Sequence, residues 1–178
     1  MTIQQDVLKS EIPVLIELFK VDLSKTNEPG LAGSILYLTP MTNAADISAP
    51  QPVSFGGNSY SPFPLQITGI ESSSEGAPAR PTLAVSNISK YFGGLVFAYN
   101  DIIGAEVTYI RTFSTYLNTS SEISMPPMRY QIAKKVSHNK AAISFELRSF
   151  NDKERAFMPK RQMLKKDFPG LGINKYVR

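Results

Sequence analysis

The chain has 178 residues, 42% of them hydrophobic and 10% aromatic, which is enough apolar material for a folded core and too much for global disorder. Charged residues make up 19%, below the roughly 25% of ordinary soluble domains, and the net charge is +4. With no cysteine and a single histidine, His138, the chain has no disulfide framework, no thiol nucleophile and no metal site built on cysteines or several histidines.

In chain order, Thr2-Ile-Gln-Gln5 has the form of a capping box, and Ile3, Val7 and Leu8 mark a short amphipathic helix ended near Pro13. Asp6, Glu11 and Glu17 interrupt any apolar run there, so no secretory signal is expected. No stretch approaches the ~18 apolar residues of a membrane-spanning helix. Val14 to Leu23 reads as a strand. Residues 24–34 and 39–52 read as loops around a short strand at Ile35–Leu38. Val53–Phe55 and Ser59-Tyr60 flank Gly56-Gly57-Asn58, a hairpin signal because Gly and Asn tolerate positive φ.

Leu65–Ile70 is expected to be a strand, residues 72–79 a flexible loop, and Thr82–Val85 another strand. Ser86 or Asn87 is placed to cap a helix over Ile88–Phe92, with Gly93-Gly94 as its stop. Glu106–Phe113 alternates apolar and polar. The clearest period-two patterning flanks Ser137-His138-Asn139, with Tyr130, Ile132 and Val136 before it and Ala141, Ile143, Phe145 and Leu147 after it. That predicts an antiparallel hairpin. The expected fold is mostly β, a barrel or sandwich of antiparallel strands with two short helices and long loops, since closure hides strand edges.

Charge divides the chain unevenly. Residues 153–178 hold eight Lys/Arg against Glu154 and Asp167, a net +6, which leaves the first 152 residues at −2. The expected organisation is a β-rich domain over 1–152, with a loop excursion at 24–50, followed by a basic C-terminal arm over 153–178. The arm has few apolar groups, and Phe157, Met163, Leu164 and Phe168 are its candidate anchors. Such a tail attracts either an acidic protein surface or nucleic acid.

Catalytic patterns are missing. There is no phosphate-cradling loop, dinucleotide fingerprint or nucleophile elbow. The fifteen acids are scattered, and Glu71 and Glu75 lie in a Ser/Gly loop. Aromatics flank Arg111 (Tyr109, Phe113, Tyr116) and Arg148 (Phe145, Phe150), but at alternating positions, which reads as core rather than as a base-stacking platform. His138, at a predicted turn, reads as an exposed spacer. No enzymatic activity and no cofactor are expected.

Two clusters are more specific. Phe55-Gly-Gly-Asn-Ser-Tyr60-Ser-Pro62-Phe-Pro64 sets a hairpin turn against a rigid double-proline segment. Arg80-Pro81-Thr-Leu-Ala-Val-Ser-Asn87 is a strand whose Pro81 forces Arg80 into an extended conformation. Together they resemble the pattern of the phage minor tail protein L family, the lambda-type tail-tip hub proteins. Leu18–Leu23, Gly104–Leu117, Tyr130–Leu147 and Phe157–Leu164 are similar to further segments of that family, in order.

The resemblance implies a structural virion protein, made in the host cytoplasm and placed at the tail tip as a baseplate-hub ring. The implied ring is a homotrimer joining the tail tube and distal tail protein to the central tip or tail fibre protein. The tape measure protein is a further implied neighbour, and DNA would pass only through the lumen. Arg80, Pro81 and Asn87 would then serve assembly, with Phe157, Met163, Leu164 and Phe168 anchoring the arm. The family continues into a cysteine-bearing region that looks like an iron–sulfur site. Here Phe168 stands about where the first cysteine would fall, and without cysteine no such cluster is held. The competing reading of the same residues is a nucleic-acid-binding β-barrel that uses its basic tail.

Overall fold

The computed structural model describes residues 13–26, 29–31, 33–40, 51–70, 80–117, 123–150, 164, 166 and 168. The helix expected over 2–12, the loop at 72–79, and Phe157 and Met163 of the arm lie outside the described residues.

Among the described residues, nine strands form one mixed sheet: β1 (Leu15–Asp22), β2 (Ile35–Thr39), β3 (Val53–Phe55), β4 (Asn58–Pro62), β5 (Leu65–Thr68), β6 (Thr82–Ser86), β7 (Glu106–Phe113), β8 (Met128–His138) and β9 (Ala142–Ser149). Their order across the sheet is β3-β4-β2-β1-β7-β8-β9-β6-β5. One helix, α1 (Tyr91–Ala98), and four single 3₁₀ turns complete the described elements. The mostly-β expectation holds. It is refined at β2–β4, which pair in parallel over a short register, Leu38 with Ser61 and Thr39 with Pro62.

The sheet is curled but not closed by a ladder. The end strand β5 and β4, which lies next to the other end strand β3, are separated by only Phe63 and Pro64, so the chain itself holds them within roughly 10 Å. Phe63 N–H donates to the Thr39 carbonyl at 2.8 Å. Pro62 and Pro64 have no N–H to offer, so this seam cannot become a regular pair of strands.

β1 buries apolar residues on both of its faces, at Ile16 and Leu18 on one and at Phe19 and Val21 on the other. Phe19 and Val21 enter the main core with Val107 and Tyr109 of β7, Ile132 of β8, and Ile143, Phe145 and Leu147 of β9. Ile16 and Leu18 point the other way, into a smaller cluster with Phe55 and Tyr60 of the β3–β4 hairpin. Thus the Gly56-Gly57 turn, with φ of 56° and 73°, folds an aromatic pair over the back of the sheet. A void of about 10 Å³ lies in the main core, room for about one water and no ligand.

Of the aromatics flanking the arginines, Tyr109, Phe113, Tyr116 and Phe145 are core, as their alternation implied, whereas Phe150 is only half-buried. Tyr109 donates its hydroxyl to Glu17 at 2.6 Å. Burial, and then that bond to a carboxylate, push the phenol well above its usual range. In the loop excursion, 3₁₀ turns at Leu23–Lys25 and Pro29–Leu31 bring Leu31 into the core.

Two local expectations are corrected. Gly93-Gly94 does not stop a helix over Ile88–Phe92; both glycines lie inside α1, which starts at Tyr91 and runs to Ala98. Val136 does not face the core but is exposed, because register shifts after Ile132 and after Lys135 break the alternation of β8.

Candidate assembly surface

Strand β6 sits between β9 and the edge strand β5. Pro81, just before it, is buried, and its carbonyl accepts from Leu147 N–H at 2.8 Å, locking the entry to the strand. Arg80 is held outward at the surface. Its Nη1 donates to Glu146 Oε1 at 3.3 Å, while Lys134 Nζ reaches Glu146 Oε2 at 3.0 Å. Glu146 on β9 therefore bridges cations from either side, and its carboxyl is held below the usual carboxylate range. The Lys134 hydrogen bond is the largest cause and Arg80 adds to it, against an opposing effect of burial. The Arg80 side chain is 54% exposed, so the bond is a surface ion pair, of the class worth ~0.2–1 kcal/mol.

Asn87, at the other end of β6, is buried and bonded on every side. Its backbone N–H donates to the Ala141 carbonyl at 2.8 Å, and its own carbonyl accepts from Lys90 N–H at 3.0 Å. Its Nδ2 donates to the Asn139 carbonyl at 3.0 Å and lies 3.4 Å from His138 Nε2. Its Oδ1 accepts from Gly93 N–H at 3.0 Å. The sequence suggested Asn87 as an ordinary cap of the next residues. Instead, Lys90 occupies the N-cap position with φ 57° and no side-chain bond, and Asn87 satisfies an orphan helix N–H from six residues upstream. This is why Gly93 is tolerated in mid-helix: a Cβ there would stand 2.6 Å from Asn87 Oδ1.

Helix α1 turns Phe92 and Val96 into the core, where Phe92 packs on Phe63 with ring centroids 5.1 Å apart. Its outer side and approach are apolar and uncovered: Phe97 is 92% exposed, Ile88 80% and Tyr91 51%. Between the helix and the β8–β9 turn lies an open cleft of about 590 Å³, lined by Phe97, Gly93, Gly94, Asn87, Lys90, His138 and Lys140. The turn that follows α1 is left-handed at Asn100, Asp101 and Ile102 (φ 45°, 60° and 49°). Lys135 holds Asp101 by an ion pair, and Ile102 is buried, so tertiary contacts sustain a conformation unfavourable for a β-branched residue.

The structure thus brings Asn87 to this cleft and leaves Arg80 and Pro81 at the opposite end of β6. Of the arm, Leu164 and Phe168 are described and exposed, with Phe168 N–H donating to the Leu164 carbonyl at 2.9 Å. Sequence reasoning did not single out Phe97, Ile88 or Tyr91. The sequence carried no local signal for them, since Tyr91, Phe92, Leu95, Val96, Phe97 and Ala98 make α1 apolar nearly all round, and packing alone selects Phe92 and Val96 as the buried pair. No group of acids and histidine capable of holding a metal occurs among the described residues, and no described helix is long and apolar enough to cross a membrane.

Comparison with known proteins adds an independent finding. The family model described as phage minor tail protein L matches residues 36–170, which is 135 of the 178 residues. Tail tip protein L of Escherichia phage lambda is 31% identical over 68 residues, covering 38% of this chain and 29% of that protein. The matched region runs from Leu36 in β2 through β9 and includes α1 and the cleft beside it.

Proposed function

The chain belongs to the phage minor tail protein L family and is a structural protein of the virion tail, and we propose that it acts there as a ring-forming piece of the tail-tip hub. In this reading copies of the chain form a closed ring, threefold, between the distal tail protein and the central tip or tail fibre protein, with the tape measure protein as a further neighbour. It performs no catalysis and holds no cofactor. Its work is to present surfaces that complete themselves only in the assembly.

The observation that carries the reading is the α1 surface. A monomer that leaves Phe97, Ile88 and Tyr91 exposed beside an open cleft has an apolar area waiting to be covered. A closed ring needs two different patches on each copy that meet head to tail, and the cleft with its uncovered helix suits one of them. Residues 1–152 form the hub domain in this proposal. Residues 153–178 form the assembly arm, anchored by Phe157, Met163, Leu164 and Phe168, whose charge speeds docking more than it adds affinity. Arg80 and Pro81 fix the far end of β6, and Asn87 fixes α1.

Tail assembly with Phe97→Ser tests this. The isolated variant should melt within about 1 °C of wild type, since its ring gives up almost no buried contact. Tail yield should fall at least tenfold. A chain cut after Phe150 should also fold but fail to enter tails. Normal tails from both would end the proposal. The nucleic-acid reading of the basic arm makes a different forecast: salt-dependent DNA binding by the isolated chain, abolished by the same cut.

A further inference from the structure

On the back of the sheet, the register aligns Tyr37, Lys20, Thr108 and Arg129 in one cross-strand row over β2, β1, β7 and β8. The row lies on one side of an open cleft of about 300 Å³, and the β3–β4 hairpin, with Asn58 and Tyr60, lies on the other. Among the described residues, Lys20 and Arg129 make no ion pair and no side-chain hydrogen bond, and neither does the Thr108 hydroxyl between them. Two cations facing one open cleft with no ion pair of their own give it a positive field that favours an anion there.

Lys20 and Arg129 are two strand spacings apart, roughly 10 Å between backbones. A single carboxylate seated over Thr108 is within reach of both side chains and of the threonine hydroxyl. The next row along the same face carries Asp22 and Glu106. Asp22 is already engaged by Ser24, and the pair would repel any chain of negative charges running along the sheet. The aromatic wall beside the cations, where Tyr37 and Tyr60 meet edge-on at 5.3 Å, suits an apolar side chain.

We propose that this cleft is a docking site for one acidic side chain of a partner protein, an aspartate or glutamate flanked by apolar residues, and not for nucleic acid. The proposal does not depend on the tail-hub reading, because it concerns binding by the isolated chain.

The test is amide NMR on the full chain with three probes: the peptide acetyl-Phe-Asp-Leu-amide, its Asn counterpart, and a ten-nucleotide oligo-dT. The Asp peptide should shift the amides of Lys20, Thr108, Arg129 and Asn58 saturably, and the Asn peptide should bind at least about fivefold more weakly. Arg129→Gln and Lys20→Gln should each weaken the Asp peptide by about two- to fivefold. Arg129 is exposed, so its variant is informative even if the lysine variant folds poorly. Equal binding of the two peptides, shifts mapping elsewhere, or tighter binding of oligo-dT to this row would overturn the proposal.

Discussion

The β8–β9 hairpin and the segment from Asn87 to Ile102 are neighbours, yet they are specified in opposite ways. The hairpin is written as alternation. Ile143, Phe145 and Leu147 of β9 are fully buried, and each in-between residue faces outward. The helical segment has little such pattern. Its start is a left-handed Lys90, its middle holds two glycines, its end is a left-handed turn, and one buried asparagine ties it to the hairpin. Both bury apolar side chains in the main core, but the placing of the helix rests in addition on the directed hydrogen bonds of one side chain, Asn87. Burial is spread over many atoms, whereas the Asn87 bonds are lost with a single residue.

The largest expected effect comes from breaking the hairpin. Phe145→Ala should cost ~3–5 kcal/mol, as truncation of a fully buried aromatic does, and should lower the urea midpoint of every probe together. A loss confined to the hairpin would contradict its place at the centre of the core.

Next in size is Asn87→Ala, which leaves the Gly93 N–H and the Asn139 carbonyl without their partner and should cost ~1–3 kcal/mol. Hydrogen exchange should rise across α1 while the amides of β9 stay protected. The glycines sharpen the same contrast. Gly94→Ala meets open space and should raise stability by up to ~1 kcal/mol through helix propensity. Gly93→Ala should destabilise, since its Cβ would collide with Asn87. Equal effects of the two would remove the role assigned to Asn87.

The smallest effect is expected at Arg80. Its replacement by alanine should cost under ~1 kcal/mol at pH 7, because the ion pair with Glu146 is solvated. The Glu146 carboxyl is held below its usual range in the folded chain, so its contribution is present at neutral pH and is lost as pH falls below ordinary carboxylate values. The difference between wild type and Arg80→Ala in urea midpoint should therefore shrink between pH 7 and pH 3. A difference that persists at pH 3 would show that Arg80 acts through packing or another partner.

Seen residue by residue, the sequence was most informative where period two and turn chemistry agreed. β7, the β3–β4 hairpin and the β8–β9 hairpin stand close to their expected places, because inward-facing side chains and positive-φ turn residues are local signals. It was least informative around α1 and along β8. A glycine pair reads as a helix stop until a buried side chain from another element shows why Cβ must be absent. Val136 reads as core until bulges turn it outward.

The sequence by itself determined the mostly-β class, the strand at β1, the absence of thiol chemistry, and the family resemblance. The tertiary structure alone decided that the sheet stays open at the Phe63-Pro64 seam and that Asn87 caps a helix it does not adjoin. It alone leaves Phe97 uncovered and sets Lys20 and Arg129 in one unpaired row. The reason is physical. Alternation and turn preference act over a few residues, whereas register, curl and cross-strand neighbours join groups tens of positions apart, such as Asn87 with Asn139 and Lys20 with Thr108, and no local pattern encodes which of them will meet.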